Sequence, residues 1–211
     1  MNWLISKVKY LLACQANPIS VLILYFFYKI FYKCDILIGS YTRVNGIEKI
    51  TGQGTIKLGL MQTGFNLKED RTLLSISDKG SLYVAKYLSI GKGCRFDISG
   101  QLSVAEAFFN SGTKVIASNK VIIGKNCAFS WDCTILDNDF HQFNTTTSAG
   151  EIHIGDNVWV GCNSMILKNT KIANGCVIAA NSLVRGEFNE QNCLIAGNPA
   201  KIVKRNITWE K

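Results

Sequence analysis

Residues 154–184 read IGDNVW VGCNSM ILKNTK IANGCV IAANSL V. An aliphatic side chain returns at every sixth position: Ile154, Val160, Ile166, Ile172, Ile178 and Val184. Gly or Ala follows it at four of those six. A small or β-branched residue stands four positions after it (Val158, Ser164, Thr170, Cys176, Ser182). A six-residue period fits neither a 3.6-residue helix nor the alternation of a half-buried hairpin strand. It fits short strands joined by tight turns and stacked in coils, one aliphatic per strand pointing inward. The predicted fold class is all-β, a parallel β-helix.

Working outward, the beat begins weakly near Cys34, with Val44, Ile50 and Ile56 in phase. It breaks over 59–70. It resumes at Ile76, Leu82 and Leu88, and shifts phase to Ile90, Phe96, Leu102 and Phe108. Asn110-Ser111-Gly112 reads as a turn. Ile123, Phe129 and Ile135 form another clean set before a break over 136–153. After Val184, residues 186–192 read as polar turn. Residues 193–196 are one last strand, Gly197-Asn198-Pro199 turns the chain out, and residues 200–211 are a basic tail or short helix. The phase shifts mark insertions at corners, where solenoids tolerate loops.

The 211-residue chain is long enough for one domain and an accessory segment, and 47 % of it is hydrophobic. The net charge of +8 favours anionic partners without choosing among nucleic acid, membrane and a phosphorylated cofactor. Four of the eight cysteines (Cys94, Cys127, Cys133, Cys176) occupy the small-residue slot of their hexads, which makes them core side chains rather than disulfide partners. No CxxC pair is present, so neither a zinc nor a redox site is expected. A reducing cytoplasm is the simplest compartment, and no secretory signal is evident.

Residues 1–33 differ in composition, with Lys7, Lys9, Lys29 and Lys33 among aromatic and aliphatic residues. Two short helices, or a helix and an extended piece, are expected. The apolar run 19–27 is short of the roughly 20 residues a membrane span needs. The segment reads either as a cap over the open end of the solenoid or as an amphipathic membrane-surface anchor. The resulting division is 1–33, a solenoid over 34–205, and a tail over 206–211.

The break over 136–153 is where chemistry is expected. An ordered solenoid has little structural reason to extrude a long polar loop, and such loops are often functional. His141 lies six residues after Ile135, where the next inward aliphatic would have stood. Imidazole is suited to take a proton near neutral pH. Asp137 or Asp139 could accept from its other nitrogen. A surface histidine with incidental acidic neighbours fits the spacing as well. His153, at a strand start, reads as structural.

The hexads, the run Asn157-Val158-Trp159-Val160-Gly161 and the later Ala196-Gly197-Asn198-Pro199-Ala200-Lys201 resemble the left-handed β-helix (hexapeptide) acyltransferases, in their O-acetyltransferase branch. The resemblance covers roughly 34–205 as a fold and is sharp over about 123–204. It implies a left-handed coil, a homotrimer with sites between neighbouring solenoids, and acetyl-CoA as co-substrate. The run Asp137, Asp139, His141 resembles the catalytic stretch of polysaccharide and sugar O-acetyltransferases, with His141 as general base. The Cys162 backbone amide matches the donor to the thioester oxygen, and Trp159 the indole beside it. Ala180 and Arg185 match positions lining the pantetheine arm, although Arg185 departs from the small polar residue common there. Lys201 and Lys204 match groups on the nucleotide phosphates and would share one phosphate if the tail were helical. Asn110 and Asn138 are assigned to the sugar acceptor.

No nucleotide-binding βαβ unit with a Gly-rich fingerprint precedes the solenoid, which disfavours the sugar N-acetyltransferases that carry one. Two histidines are too few for a three-histidine metal site within one chain. The reading reached is an O-acetyltransferase acting on a sugar of a surface polysaccharide, in the cytoplasm or at the inner face of the membrane, without metal or nucleic acid. Acetylation of a small sugar or antibiotic, and a non-catalytic scaffold, are the alternatives.

Overall fold

A computed structural model describes residues 2–14, 16–60, 69–142, 144 and 148–210, without the side chains of residues 2–4. Most of the break over 59–70 and the centre of the loop after Leu136 therefore lie outside the described residues.

The chain forms two helices followed by a left-handed parallel β-helix. Each coil is a triangle of three short strands. Strand Ile152–Ile154 pairs in parallel register with Val121–Ile123 below it and with Thr170–Ile172 above it. The first face stacks Ile36–Ile38, Thr55–Leu58, the ends of the long strands Ser81–Ile90 and Gln101–Phe109, then Cys127–Phe129, Trp159–Val160, Val177–Ile178 and Leu194–Gly197. The second stacks Thr42–Asn45, Thr72–Ile76, Arg95–Ile98, Lys114–Ala117, Thr134–Leu136 and the starts of Met165–Ile172 and Leu183–Phe188. The third runs from Ile50–Thr51 through Lys120–Ile123 and Ile152–Ile154 to Gly186–Phe188. Every pairing among these is parallel.

The predicted inward residues fill the interior. Ile154, Val160, Ile166, Ile172, Ile178 and Val184 are all buried, as are Val158, Ser164, Thr170, Cys176 and Ser182. Cys94, Cys127, Cys133 and Cys176 lie in the core as thiols outside any disulfide. Burial pushes the Cys94 and Cys133 thiols up to about 12. Phe96, Phe109 and Phe129 form a column, with Phe109 stacked on Phe129 at 4.2 Å. Here the structure corrects the beat: Phe109, not Phe108, points inward. Strand Gln101–Phe109 rounds a corner without a turn, so one more residue passes before the next inward position. A one-residue slip exchanges the two faces of a strand.

The turns use a signal absent from the hexad reading above. The residue three after each of the first five inward aliphatics is Asn157, Asn163, Asn169, Gly175 or Asn181, and all five have φ between +54° and +72°. Asn and Gly adopt this left-handed conformation at the least cost. A second correction concerns residues 186–192: Leu183–Phe188 is one strand and Phe188 is buried, so the chain leaves the pattern later than expected.

Helix α1 (Asn2–Ala13) and helix α2 (Pro18–Phe31) precede the solenoid. Asn17 caps α2 by accepting from the Ile19 amide, with Pro18 at the first turn. Leu37 points outward between the inward Ile36 and Ile38. It packs with Leu11, Val21, Tyr25 and Leu60 in a second apolar cluster. The helices thus cover the outside of the first face at its lowest coil, while Tyr28 reaches the main core. At the other end the tail is a strand rather than a helix. Ala200–Lys204 pairs antiparallel with Leu194–Gly197.

Candidate active site

The loop that carries His141 leaves the solenoid at the edge between the second and third faces. Its base is a short antiparallel ladder. The Asp139 amide donates to the Ser148 carbonyl (2.8 Å), the Gly150 amide donates to the Asp137 carbonyl (2.9 Å), and Asn138 bridges to Ala149. The Asn138 side chain accepts from the Phe140 amide at 2.8 Å, and Phe140 turns with φ +61°. This Asx turn points the chain outward, and His141 emerges exposed.

The two acidic neighbours are committed elsewhere. Asp137 is fully buried, and its oxygens accept from the Ser118 and Asn119 amides at 2.8 Å each. Burial raises its carboxyl above the usual carboxylate range, while those amides pull the other way. Asp139 pairs with Lys168 at 2.7 Å. Neither is hydrogen-bonded to His141, so what they hold is the base of the loop rather than the imidazole tautomer. Lys168 was not singled out by its sequence. It is 4 % exposed, and its ammonium also donates to the Ser148 carbonyl at 3.1 Å. Nothing in the hexad pattern separates it from a solvated lysine.

Cys162 and Ala180 lie on a different edge, between the first and second faces. They stack in one column, with the Asn181 amide donating to the Cys162 carbonyl and the Asn163 amide to that of Trp131. The backbone N–H groups of Cys162 and Ala180 donate to nothing among the described residues. Two unspent amides one coil apart can take an oxyanion or a carbonyl oxygen. Cys162 is the one cysteine among the eight that is not buried.

Trp159 projects from the first face beside this edge. Its indole donates to the Ser130 hydroxyl at 3.0 Å. Trp209, from the tail, folds back against it at 6.1 Å and donates to the Asn157 carbonyl at 2.9 Å. Trp209 also escaped the sequence reading, since only folding brings residues so far apart together. Asn110 is buried beneath the same edge, where its carbonyl accepts from the Cys94 thiol.

Lys201 and Lys204 fall on a strand, where residues three apart ordinarily face opposite sides. A bulge intervenes, so that Lys201 pairs with Ala196 and Lys204 with Leu194. Ala196 and Leu194 share one face of their strand, so the extra residue brings both lysines to one side. Arg185 stands apart from Ala180. It follows Val184 at the edge between the second and third faces, one coil above Leu167, on the side of the His141 loop.

The predicted residues therefore form two groups. His141, Asp137, Asn138, Asp139 and Arg185 share one edge of the second face, while Cys162, Ala180, Trp159 and Asn110 gather at the other. A face about six residues wide separates them by roughly 20 Å. No group of metal-ligating side chains is found among the described residues.

The triangular solenoid of hexads, with the His141 loop on one edge and unspent amides on another, has the architecture of the hexapeptide-repeat transferases. The pattern of the bacterial transferase hexapeptide family, six repeats, matches residues 151–186. The chain is 33 % identical over 201 residues to an uncharacterised 24.8 kDa protein in the cps region of Klebsiella pneumoniae, covering 93 % of this chain and 90 % of that one. It is 32 % identical over 160 residues to the putative lipopolysaccharide biosynthesis O-acetyl transferase WbbJ of Escherichia coli K12, covering 64 % of this chain and 80 % of WbbJ. The fold is shared with the polySia-specific acetyltransferase NeuO (TM-score 0.53, 22 % identity, 83 % of this chain and 72 % of that chain). It is shared also with the polysialic acid O-acetyltransferase OatWY (TM-score 0.52, 22 % identity, 83 % and 87 %). The chain belongs to the hexapeptide-repeat acetyltransferase family, in the neighbourhood of its polysaccharide O-acetyltransferases.

Proposed function

We propose that the protein moves an acetyl group from acetyl-CoA to a sugar hydroxyl during assembly of a surface polysaccharide, with His141 as general base. The observation that carries the reading is the pairing of an extruded histidine loop with the unspent Cys162 amide on the same solenoid. In the proposed reaction His141 takes the proton of the sugar hydroxyl as that oxygen attacks the thioester carbonyl. A C–O bond forms, and the Cys162 N–H faces the oxyanion. As the intermediate collapses the C–S bond breaks, and His141 returns the proton to the leaving thiolate. General-base help of this kind is worth about a hundredfold to ten-thousandfold, and holding both substrates in register adds to it. Trp159 would flank the thioester end, Ala180 and Arg185 the pantetheine arm, and Lys201 and Lys204 the phosphates. Asn110 and Asn138 would border the acceptor.

Since one chain carries the two groups on opposite edges of one face, we take the working form to be a ring of copies, as in the homotrimer the family resemblance implies. Each His141 edge then meets the Cys162 edge of the next copy in a closed head-to-tail contact.

We also place the protein at the inner face of a membrane. No helix among the described residues is long and apolar enough to cross one. The outer side of α2 nonetheless exposes Ile19, Ile23, Phe27, Ile30 and Phe31, with Ile19 72 % exposed. Residues 1–34 contain four lysines and no acid. An apolar face flanked by cations is complementary to anionic headgroups over acyl chains.

The deciding experiment is chromatographic measurement of CoA released from acetyl-CoA with a panel of bacterial glycans, for wild type and His141→Ala. Acceptor-dependent release that falls at least a hundredfold in a folded His141→Ala protein is expected. Unchanged turnover in that variant would sink the assignment of the base.

A further inference from the structure

We propose, resting on the transferase reading above, that the acceptor is an anionic glycan held by a two-part site running from the Cys162 edge onto the second face. Two adjoining cavities, of about 430 and 510 Å³, share Arg71 and Arg95. The first opens beside Trp131, Asp132 and Lys92. The second is floored by Leu73 between Arg43 and Arg95, with Tyr41 at its rim, and no carboxylate lines it.

The first cavity continues the column of the transfer edge. The Asp132 amide donates to the Ser111 carbonyl, and the Gly112 amide to that of Lys92. At about 4.8 Å per coil, Trp131 lies one coil below Cys162 and Lys92 three coils below, a span of roughly 15 Å. An oligosaccharide reaching the acetyl group from below would lie along it. The exposed Trp131 ring gives a sugar an apolar platform. Glu69, Asp70 and Asp132 also line this cavity and accept from hydroxyl groups.

The second cavity gathers three arginines with no carboxylate and so suits an anion. Arg43, Leu73, Arg95 and Lys114 stand in register on successive strands, so Arg95 and Lys114 are directly opposed. Like charges in that relation destabilise a sheet. Arg43, Arg71 and Arg95 form no salt bridge among the described residues. Lys92 is 4 % exposed, lines the first cavity, and its ammonium has no partner among the described residues. A lysine so enclosed favours an anion beside it, and the carboxylates of the same cavity make no ion pair with it. Guanidinium groups match carboxylate and phosphate alike. The anion is therefore either the carboxylate of an acidic sugar or the diphosphate of a carrier-linked one.

The test is calorimetric binding to the full-length His141→Ala protein, which binds without turning over. The probes are an oligogalacturonate, the same oligosaccharide with its carboxyls reduced to alcohols, and a neutral monosaccharide on a prenyl diphosphate. Salt-sensitive binding of the oligogalacturonate is expected, weakened at least tenfold by carboxyl reduction and again by Arg43→Gln with Arg95→Gln. Binding of the diphosphate probe alone, with the same loss in the variant, assigns the anion to the carrier. Lys92→Gln is a second variant, used if its thermal midpoint matches the parent. The proposal is overturned if neither anionic probe binds, if the arginine variant binds as tightly as its parent, or if that variant changes oligomeric state instead. Anion binding that persists in a wild type unable to acetylate any glycan would remove the transferase reading and leave this site. Acetylation of neutral and acidic glycans alike would do the reverse.

Discussion

The Lys168 ammonium, buried at the edge between the second and third faces, meets the Asp139 carboxylate at 2.7 Å and ties the base of the His141 loop to the solenoid wall. Because the same ammonium also holds the Ser148 carbonyl, one side chain grips both strands of the loop base. Lys168→Met keeps much of the buried stem and removes the grip. An imidazole displaced by about 1 Å can lose roughly a hundredfold in rate. We expect kcat to fall about tenfold to a hundredfold with KM for acetyl-CoA within twofold. Equal changes in both constants would indicate general loosening instead.

Asp137 is expected to matter for folding rather than for proton transfer. Asp137→Ala leaves the part-buried Ser118 and Asn119 amides without this acceptor, and with water able to reach them the total cost is about 1–3 kcal/mol. Thermal unfolding should show a lowered midpoint, whereas kcat per folded molecule should fall far less than in His141→Ala. The raised carboxyl also fixes a sign. The folded state holds its proton more tightly than the unfolded chain, so this group's contribution to stability declines as pH rises from the ordinary carboxylate range through the raised value. Denaturant melts of wild type and Asp137→Asn across that window should diverge in that sense.

The cysteines supply a second pH dependence. Cys94 and Cys133 are held at about 12 by burial, against 9.0 for a free thiol. Between those values the unfolded chain loses protons that the folded chain keeps, so stability should fall as pH rises from 9 towards 12. At neutral pH a thiol reagent should label one cysteine quickly, Cys162, and the other seven only on unfolding. Peptide mapping of the fast-labelled site checks this, and several fast sites would contradict the burial.

If sites are shared between copies, two inactive variants should rescue each other. His141→Ala destroys one edge and Ala180→Trp blocks the other. In randomly mixed rings about a quarter of the contacts join two intact edges. Co-refolded variants should therefore recover about a quarter of wild-type activity. No recovery, with mixed rings confirmed by mass spectrometry, would place the whole site on one chain.

The apolar side of α2 predicts flotation with anionic vesicles. Ile23→Ser with Phe27→Ser should abolish it, and neutral vesicles should bind weakly. Flotation indifferent to both changes would point to another copy of the chain as the cover for this surface.

The hexad over 154–184 determined the fold by itself, because an inward side chain every sixth residue leaves few ways to bury the apolar set without a triangular coil. Asn157, Asn163, Asn169 and Asn181 went unread in the sequence, although the left-handed conformation they adopt selects Asn and Gly. The exposed His141 loop was legible as an interruption of an ordered pattern. Tertiary structure alone decided the rest. Sequence proximity put Asp137 and Asp139 beside His141, but strand pairing carries Asp137 to the turn below and Lys168 to Asp139. The bulge at the end of the tail brings Lys201 and Lys204 to one side where strand alternation would part them. Ala180 and Arg185 are five residues apart in the chain yet occupy opposite edges of a face, because the strand of the second face runs straight between them. Periodicity reports what points inward. Which outward groups meet depends on the stacking of coils, and that is set by pairings between residues distant in sequence.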